Sequence, residues 1–166
     1  GWHTNASGVS KSGVTAIGTQ AGGGLRGDGN VSIGALSNIT YSNQETLDVE
    51  YAVAVGTESR AFSSGAVAIG AKASAGSESL STWLRPIAIG YNSSSQGNRN
   101  IAIGHDTLIT GTEQTVCLGA LIQNAGSFNT IIGSQAGTGF NGNYNTFLGY
   151  AAGNQATNYE NSTCIG

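Results

Sequence analysis

The stretch from Tyr51 to Gly70, YAVAVGTESRAFSSGAVAIG, holds one short unit twice, Val53-Ala54-Val55-Gly56 and Val67-Ala68-Ile69-Gly70. Two β-branched residues flank a small one, and a glycine closes the run. Ten copies of this unit close at Gly18, Gly34, Gly56, Gly70, Gly90, Gly104, Gly119, Gly133, Gly149 and Gly166. Seven of the nine steps between successive closures are about 14–17 residues long, a spacing typical of short structural repeats, while Gly34 to Gly56 and Gly70 to Gly90 are longer. A beat this short and this steady predicts a solenoid, in which each unit is one coil that buries its apolar side only when another coil stacks on it.

Within each unit the alternation has period two, which sends the aliphatic pair to one face and the middle residue to the other. The middle residue is usually small: Ala16, Ser32, Ala54, Ala68, Ala88, Ala102 and Cys117. The closing glycine permits the tight bend that a coil of so few residues needs. After it comes a second, more polar run, as in Ala71-Lys72-Ala73-Ser74-Ala75-Gly76, which fits a second short strand. A coil of two strands and two turns is thin and buries little surface on its own. The row of small middle residues is therefore expected to be the face on which copies of the chain pack, with a few apolar side chains filling each coil.

The expected organisation is a leading segment over residues 1–12, where Trp2 and His3 either cap the first coil or belong to a preceding segment, and a repeat domain over residues 13–166. The chain opens on glycine and stops in mid-repeat, and it is read as a piece of a longer fibre. From Asn129 onward the unit changes. Asn129-Thr130-Ile131-Ile132-Gly133 and Asn145-Thr146-Phe147-Leu148-Gly149 carry threonine at the first aliphatic position, and bulkier Ile131 and Phe147 in the middle predict different packing around the axis. The first unit, Val14-Thr15-Ala16-Ile17-Gly18 followed by Gln20-Ala21-Gly22, shares that form.

Composition narrows the function. With 27 glycines, one proline, 9% charged residues and 39% apolar residues, the chain is neither an average globular sequence nor a disordered linker. Its net charge of −3 offers no basic stripe for nucleic acid and no polybasic patch for a membrane surface. No apolar run approaches the ~20 residues needed to cross a bilayer, so no membrane insertion by this segment is expected. Cys117 and Cys164 hold the same place in repeats three coils apart, ~14 Å at ~4.8 Å per stacked strand, which is beyond disulfide reach. Both are expected to be small buried thiols. Neither His3 nor His105 stands at metal-ligand spacing from them, and no cofactor is expected.

Catalysis finds no support in the residue pattern. The one acidic cluster, Glu45, Asp48 and Glu50, lies in an inserted loop with no aromatic groove beside it, and the two histidines show no Ser/His/Asp arrangement. The tripeptide Arg26-Gly27-Asp28, in a glycine-rich bend, is of a length that chance supplies. The two long spacings carry insertions at about Tyr41–Glu50 and about Ser77–Pro86, and both interrupt the repeat at the same phase. They should emerge at one corner, two coils apart, as a contact patch of Tyr41, Glu45, Asp48, Glu50, Trp83 and Arg85. Insertions in repeat proteins map to loops that often bind, and Trp, Tyr and Arg dominate many interfaces.

The units AVAVG, AVAIG and IAIG, each followed by a small-polar run and a glycine, resemble the head repeats of trimeric autotransporter adhesins. NTIIGSQAG and NTFLGYAAG resemble repeats of bacteriophage tail and head fibres. Together these resemblances cover about residues 13–166. They imply an all-β chain, a left-handed parallel β-roll, assembled as a homotrimer, with about ten coils of about 14–17 residues each. They also imply a non-enzymatic structural and adhesive role: a bacteriophage fibre segment at the virion surface that meets a host cell-surface glycan or protein. The alternative is a bacterial surface adhesin head that binds host surface or matrix.

Overall fold

The computed structural model describes residues 13–22, 27–37, 49–77, 85–111, 113–154 and 158–166. The leading segment 1–12 therefore lies outside the described residues. Strands β1 (Thr15–Ile17), β2 (Val31–Ile33) and β3 (Val53–Val55) come first. Two-residue and three-residue strands then alternate through β4 (Arg60–Ala61), β5 (Val67–Ile69), β6 (Ser74–Ala75), β7 (Ile87–Ile89) and β8 (Ser94–Ser95). The alternation runs on through β9 (Ile101–Ile103), β10 (Leu108–Ile109), β11 (Val116–Leu118) and β12 (Gln123–Asn124). Three strands close the order: β13 (Thr130–Ile132), β14 (Thr146–Leu148) and β15 (Thr163–Ile165).

The three-residue strands form one ten-stranded parallel sheet, and β12, β10, β8, β6 and β4 form a second, five-stranded one. The chain is a parallel β-solenoid of about eight turns, fewer than the ten coils expected. Every repeat stays in register: Ala54 pairs with Ala68, Ala68 with Ala88, Ala88 with Ala102 and Ala102 with Cys117. Among the described residues the second strand predicted after the glycine forms in the five middle coils. In the units ending Gln20-Ala21-Gly22, Gln135-Ala136-Gly137 and Ala151-Ala152-Gly153 a run of turns replaces it.

The middle residues face inward, which corrects the expected packing face. Ser32, Ala54, Ala68, Ala88, Ala102, Cys117 and Ile131 are fully buried within the chain's own coils, whereas none of the flanking aliphatic residues is buried. The reason is width. So short a coil closes around a bore that admits little beyond alanine or serine, and the larger Val and Ile are left outside. From Val49 to Ala88 the core cluster holds one valine and eight alanines. Further along it widens to Ile109, Ile122, Ile131, Phe140 and Phe147, with the two phenylalanine rings edge-on at 4.9 Å. Gly137 and Gly153 make that room, since a Cβ at either would meet the Ile131 or Phe147 side chain within 3 Å.

Two devices hold the register. Each closing glycine packs on the next: Gly56 has φ +134°, and a Cβ there would lie 2.5 Å from the Gly70 carbonyl oxygen. Two residues after each of the first nine glycines, from Gln20 to Ala151, the backbone is left-handed at φ 51–60°, which fixes the corner. At another corner buried asparagines bridge adjacent coils. Asn129 Oδ1 accepts from the Asn145 backbone N–H at 2.9 Å, while its Nδ2 donates to Gly142 O at 2.7 Å. Asn145 repeats the pattern with Ser162 N–H and Tyr159 O, each at 2.9 Å. Asn100 does the same for Thr115 N–H at 2.8 Å and Gly111 O at 2.7 Å. These amides satisfy backbone groups that the bend would otherwise bury unpaired.

The cysteines stand three rungs apart in one column, Cys117–Ile131–Phe147–Cys164, and both are free thiols. Their environments differ. Cys117 is buried, which pushes its pKa up to about 12, but Cys164 is exposed. Cys117 is buried as expected, and Cys164 lies on β15, the last strand in the sheet order. Titration of this chain with a thiol reagent at neutral pH should give one fast equivalent and a second only on denaturation, because the thiolate is the reactive form. Two fast equivalents would contradict the buried position of Cys117.

Candidate assembly face

The aliphatic residues that the bore excludes form two columns on the outer face of the ten-stranded sheet. One runs Val31, Val53, Val67, Ile87, Ile101 and Val116; the other is apolar at all ten rungs, from Ile17 through Ile69 and Ile103 to Ile165. Nine rung spacings make this face ~43 Å long. Neighbours above and below shield each side chain, yet Ile69 stays 38% and Ile103 37% exposed. A continuous apolar strip on that scale marks an interaction surface rather than a free exterior. Its composition mirrors the core. From Ala54 to Ala102, where the bore is filled by alanine, the first column is Val or Ile, and where the bore widens to Ile131 and Phe147 it becomes Thr130, Thr146 and Thr163.

Of the residues proposed from the insertions, the structure places Glu50 and Arg85. Tyr41, Glu45, Asp48 and Trp83 lie outside the described residues. Glu50 is half-buried, accepts the Gly65 N–H on its carbonyl at 2.8 Å and donates its own N–H to Ser64 Oγ at 3.1 Å. Arg85 is exposed, and its stem runs over Gly65, where a Cβ would come within 3.1 Å of Arg85 Cγ. Both thus stand at the corner that leads into the ten-stranded sheet, with the β5 coil between them. Asp28 stands at this corner too, its carbonyl accepting the Tyr51 N–H at 2.9 Å. Gly27 is packed against the Val49 carbonyl with no space for a side chain, while Arg26 lies outside the described residues.

The outward aliphatic columns are the feature that sequence reasoning missed. Hydrophobicity was the misleading cue, and the signal that identifies them is that the small residue, not the large ones, fits a bore this narrow. Among the described residues no group of three or more His, Cys, Asp and Glu side chains could hold a metal ion, and no helix is long and apolar enough to cross a membrane. No protein-family model, no curated protein and no solved structure matches the chain.

Proposed function

We propose that the chain is a structural and adhesive segment of a homotrimeric bacteriophage fibre, a left-handed β-roll on the virion surface that holds contact loops toward a host cell. The observation that carries this reading is the ten-rung aliphatic strip. The alanine-filled stretch of the core buries little apolar surface for its length, and the flanking Val, Ile and Leu side chains that could supply more lie on one outer face. Three copies meeting along that face would share one closed apolar axis, with the insertion corner of each chain available to the host. The contact patch is Tyr41, Glu45, Asp48, Glu50, Trp83 and Arg85. The fibre-like coils occur at both ends of the stack and enclose the adhesin-like ones, which favours the fibre over the adhesin head.

Light scattering on the purified chain of 16.7 kDa should return three times that mass. A folded monomer, stable at micromolar concentration, would sink the assembly. The labelled trimer should adhere to bacterial cells, and Arg85→Ala should weaken adhesion with the melting temperature unchanged. A lower melting temperature with adhesion intact would make that corner structural.

A further inference from the structure

The outer face of the five-stranded sheet carries a groove that runs along the solenoid axis. It has two adjoining parts of about 430 and 280 Å³ that share Asn92. In the larger part Leu108 and Leu121 give an apolar lining, with Asn92, Asp106 and Gln123 around it. In the smaller, Glu58, Arg60 and Lys72 surround Ser74. One wall is built from the left-handed residues two after each closing glycine, the other from the outward residues of the short strands. Coil geometry therefore fixes both walls. From Glu58 to Leu121 the groove spans four rungs, ~19 Å.

The planar polar groups are held in place. Asn92 Nδ2 donates to Asp106 Oδ1 at 2.6 Å, and His105 Nδ1 lies 3.1 Å from Asp106 Oδ2. A carboxylate has about four lone-pair sites, so Asp106 can still accept hydroxyl donors. Beside it Tyr91 stacks on His105 with ring centroids 5.4 Å apart and planes 13° apart, and Tyr91 is 50% exposed. Their neighbours in the same column are Ala71 and Ala120, as the bonds Asn92 N–H to Ala71 O and Leu121 N–H to His105 O show. The stack stands next to the groove, and its rings follow one another along the axis.

We propose that this groove binds a linear, neutral polysaccharide lying along the axis. Its charges balance, Glu58 and Asp106 against Arg60 and Lys72, so neither a polyanion nor a polycation is favoured by long-range attraction. Asn, Asp, Glu and Gln side chains match neighbouring hydroxyls, the apolar side chains of Leu108 and Leu121 match the C–H faces of sugar rings, and the rung spacing is about one ring long. A peptide fits less well. The groove crosses the strands, so an occupant meets side chains and finds no row of unpaired backbone groups to extend a sheet.

Affinity electrophoresis of the whole chain in gels containing dextran, mannan, galactan or pullulan, with alginate as the anionic comparison, tests this. At least one neutral polymer should retard the protein, and Leu121→Ala and Gln123→Ala should each weaken that retardation at least tenfold. Both residues are exposed; if one variant melts lower than the parent, the other decides. Retardation by none of the four neutral polymers, stronger retardation by alginate, or retardation that neither variant changes would overturn the proposal. The groove and the aliphatic strip lie on different sheets, so a failed trimer and a failed groove are separable results.

Discussion

Gly56→Ala is expected to destabilise the chain by at least ~3 kcal/mol, a fall in melting temperature of roughly 6–12 °C. Two costs combine. The φ of +134° is disfavoured for any residue with a Cβ, and the added carbon would stand 2.5 Å from Gly70 O and 2.6 Å from Gly70 C. Both atoms are backbone of the next rung, so relief requires the rungs to part. Gly139→Ala is the internal comparison. Its φ is +78°, but nothing lies within 4 Å of the position, so only a conformational cost of about 1–2 kcal/mol remains. Differential scanning fluorimetry on the two variants measures the difference. Equal losses would mean that the glycine ladder does not set the rung spacing.

Ala68 and Ile69 are adjacent in sequence and should give opposite results. Ala68→Phe puts a ring into a bore walled by Ala54 and Ala88, all three fully buried, and should cost ~3 kcal/mol or more in the folding of the single chain. Ile69→Asp alters only the outer strip. It should leave the circular dichroism of the coil in place at low temperature while shifting the mass from that of the trimer toward the 16.7 kDa of one chain. A well-folded Ala68→Phe monomer would mean that the inward and outward faces are reversed. An Ile69→Asp trimer of parental stability would mean that the strip is not the contact.

The beat of closing glycines gave the solenoid, the parallel register and the column of cysteines, because each depends only on where a unit recurs. Which way a unit faces depends on bore width, a property of the closed coil that no single unit reveals. Hydrophobicity then misleads, since Val53 and Val55 outrank Ala54 on any apolar scale and yet stand outside it. The buried asparagines were hidden for a related reason. Asn129 and Asn145 sit beside glycine-rich bends, where asparagine ordinarily marks an exposed turn, and the partners that bury their amides include backbone groups of the next coil. Glu50 and Arg85 fall at one corner because both insertions enter at one phase of the repeat. The Tyr91–His105 stack was hidden by the variable spacing, which obscures that each follows a closing glycine directly.

The rung-to-rung hydrogen bonds, such as Val53 N–H to Ala66 O at 2.9 Å and Gly70 N–H to Val55 O at 2.7 Å, all run along the solenoid axis. The covalent chain runs around it. Tension applied end to end is therefore borne by non-covalent links in series, each rung passing the full load to the next. Strength under such a pull is that of the weakest rung and does not grow with length. Bending spreads the load over a whole sheet, and compression closes rungs already in contact. A rod built this way resists being bent or pushed far better than being drawn out.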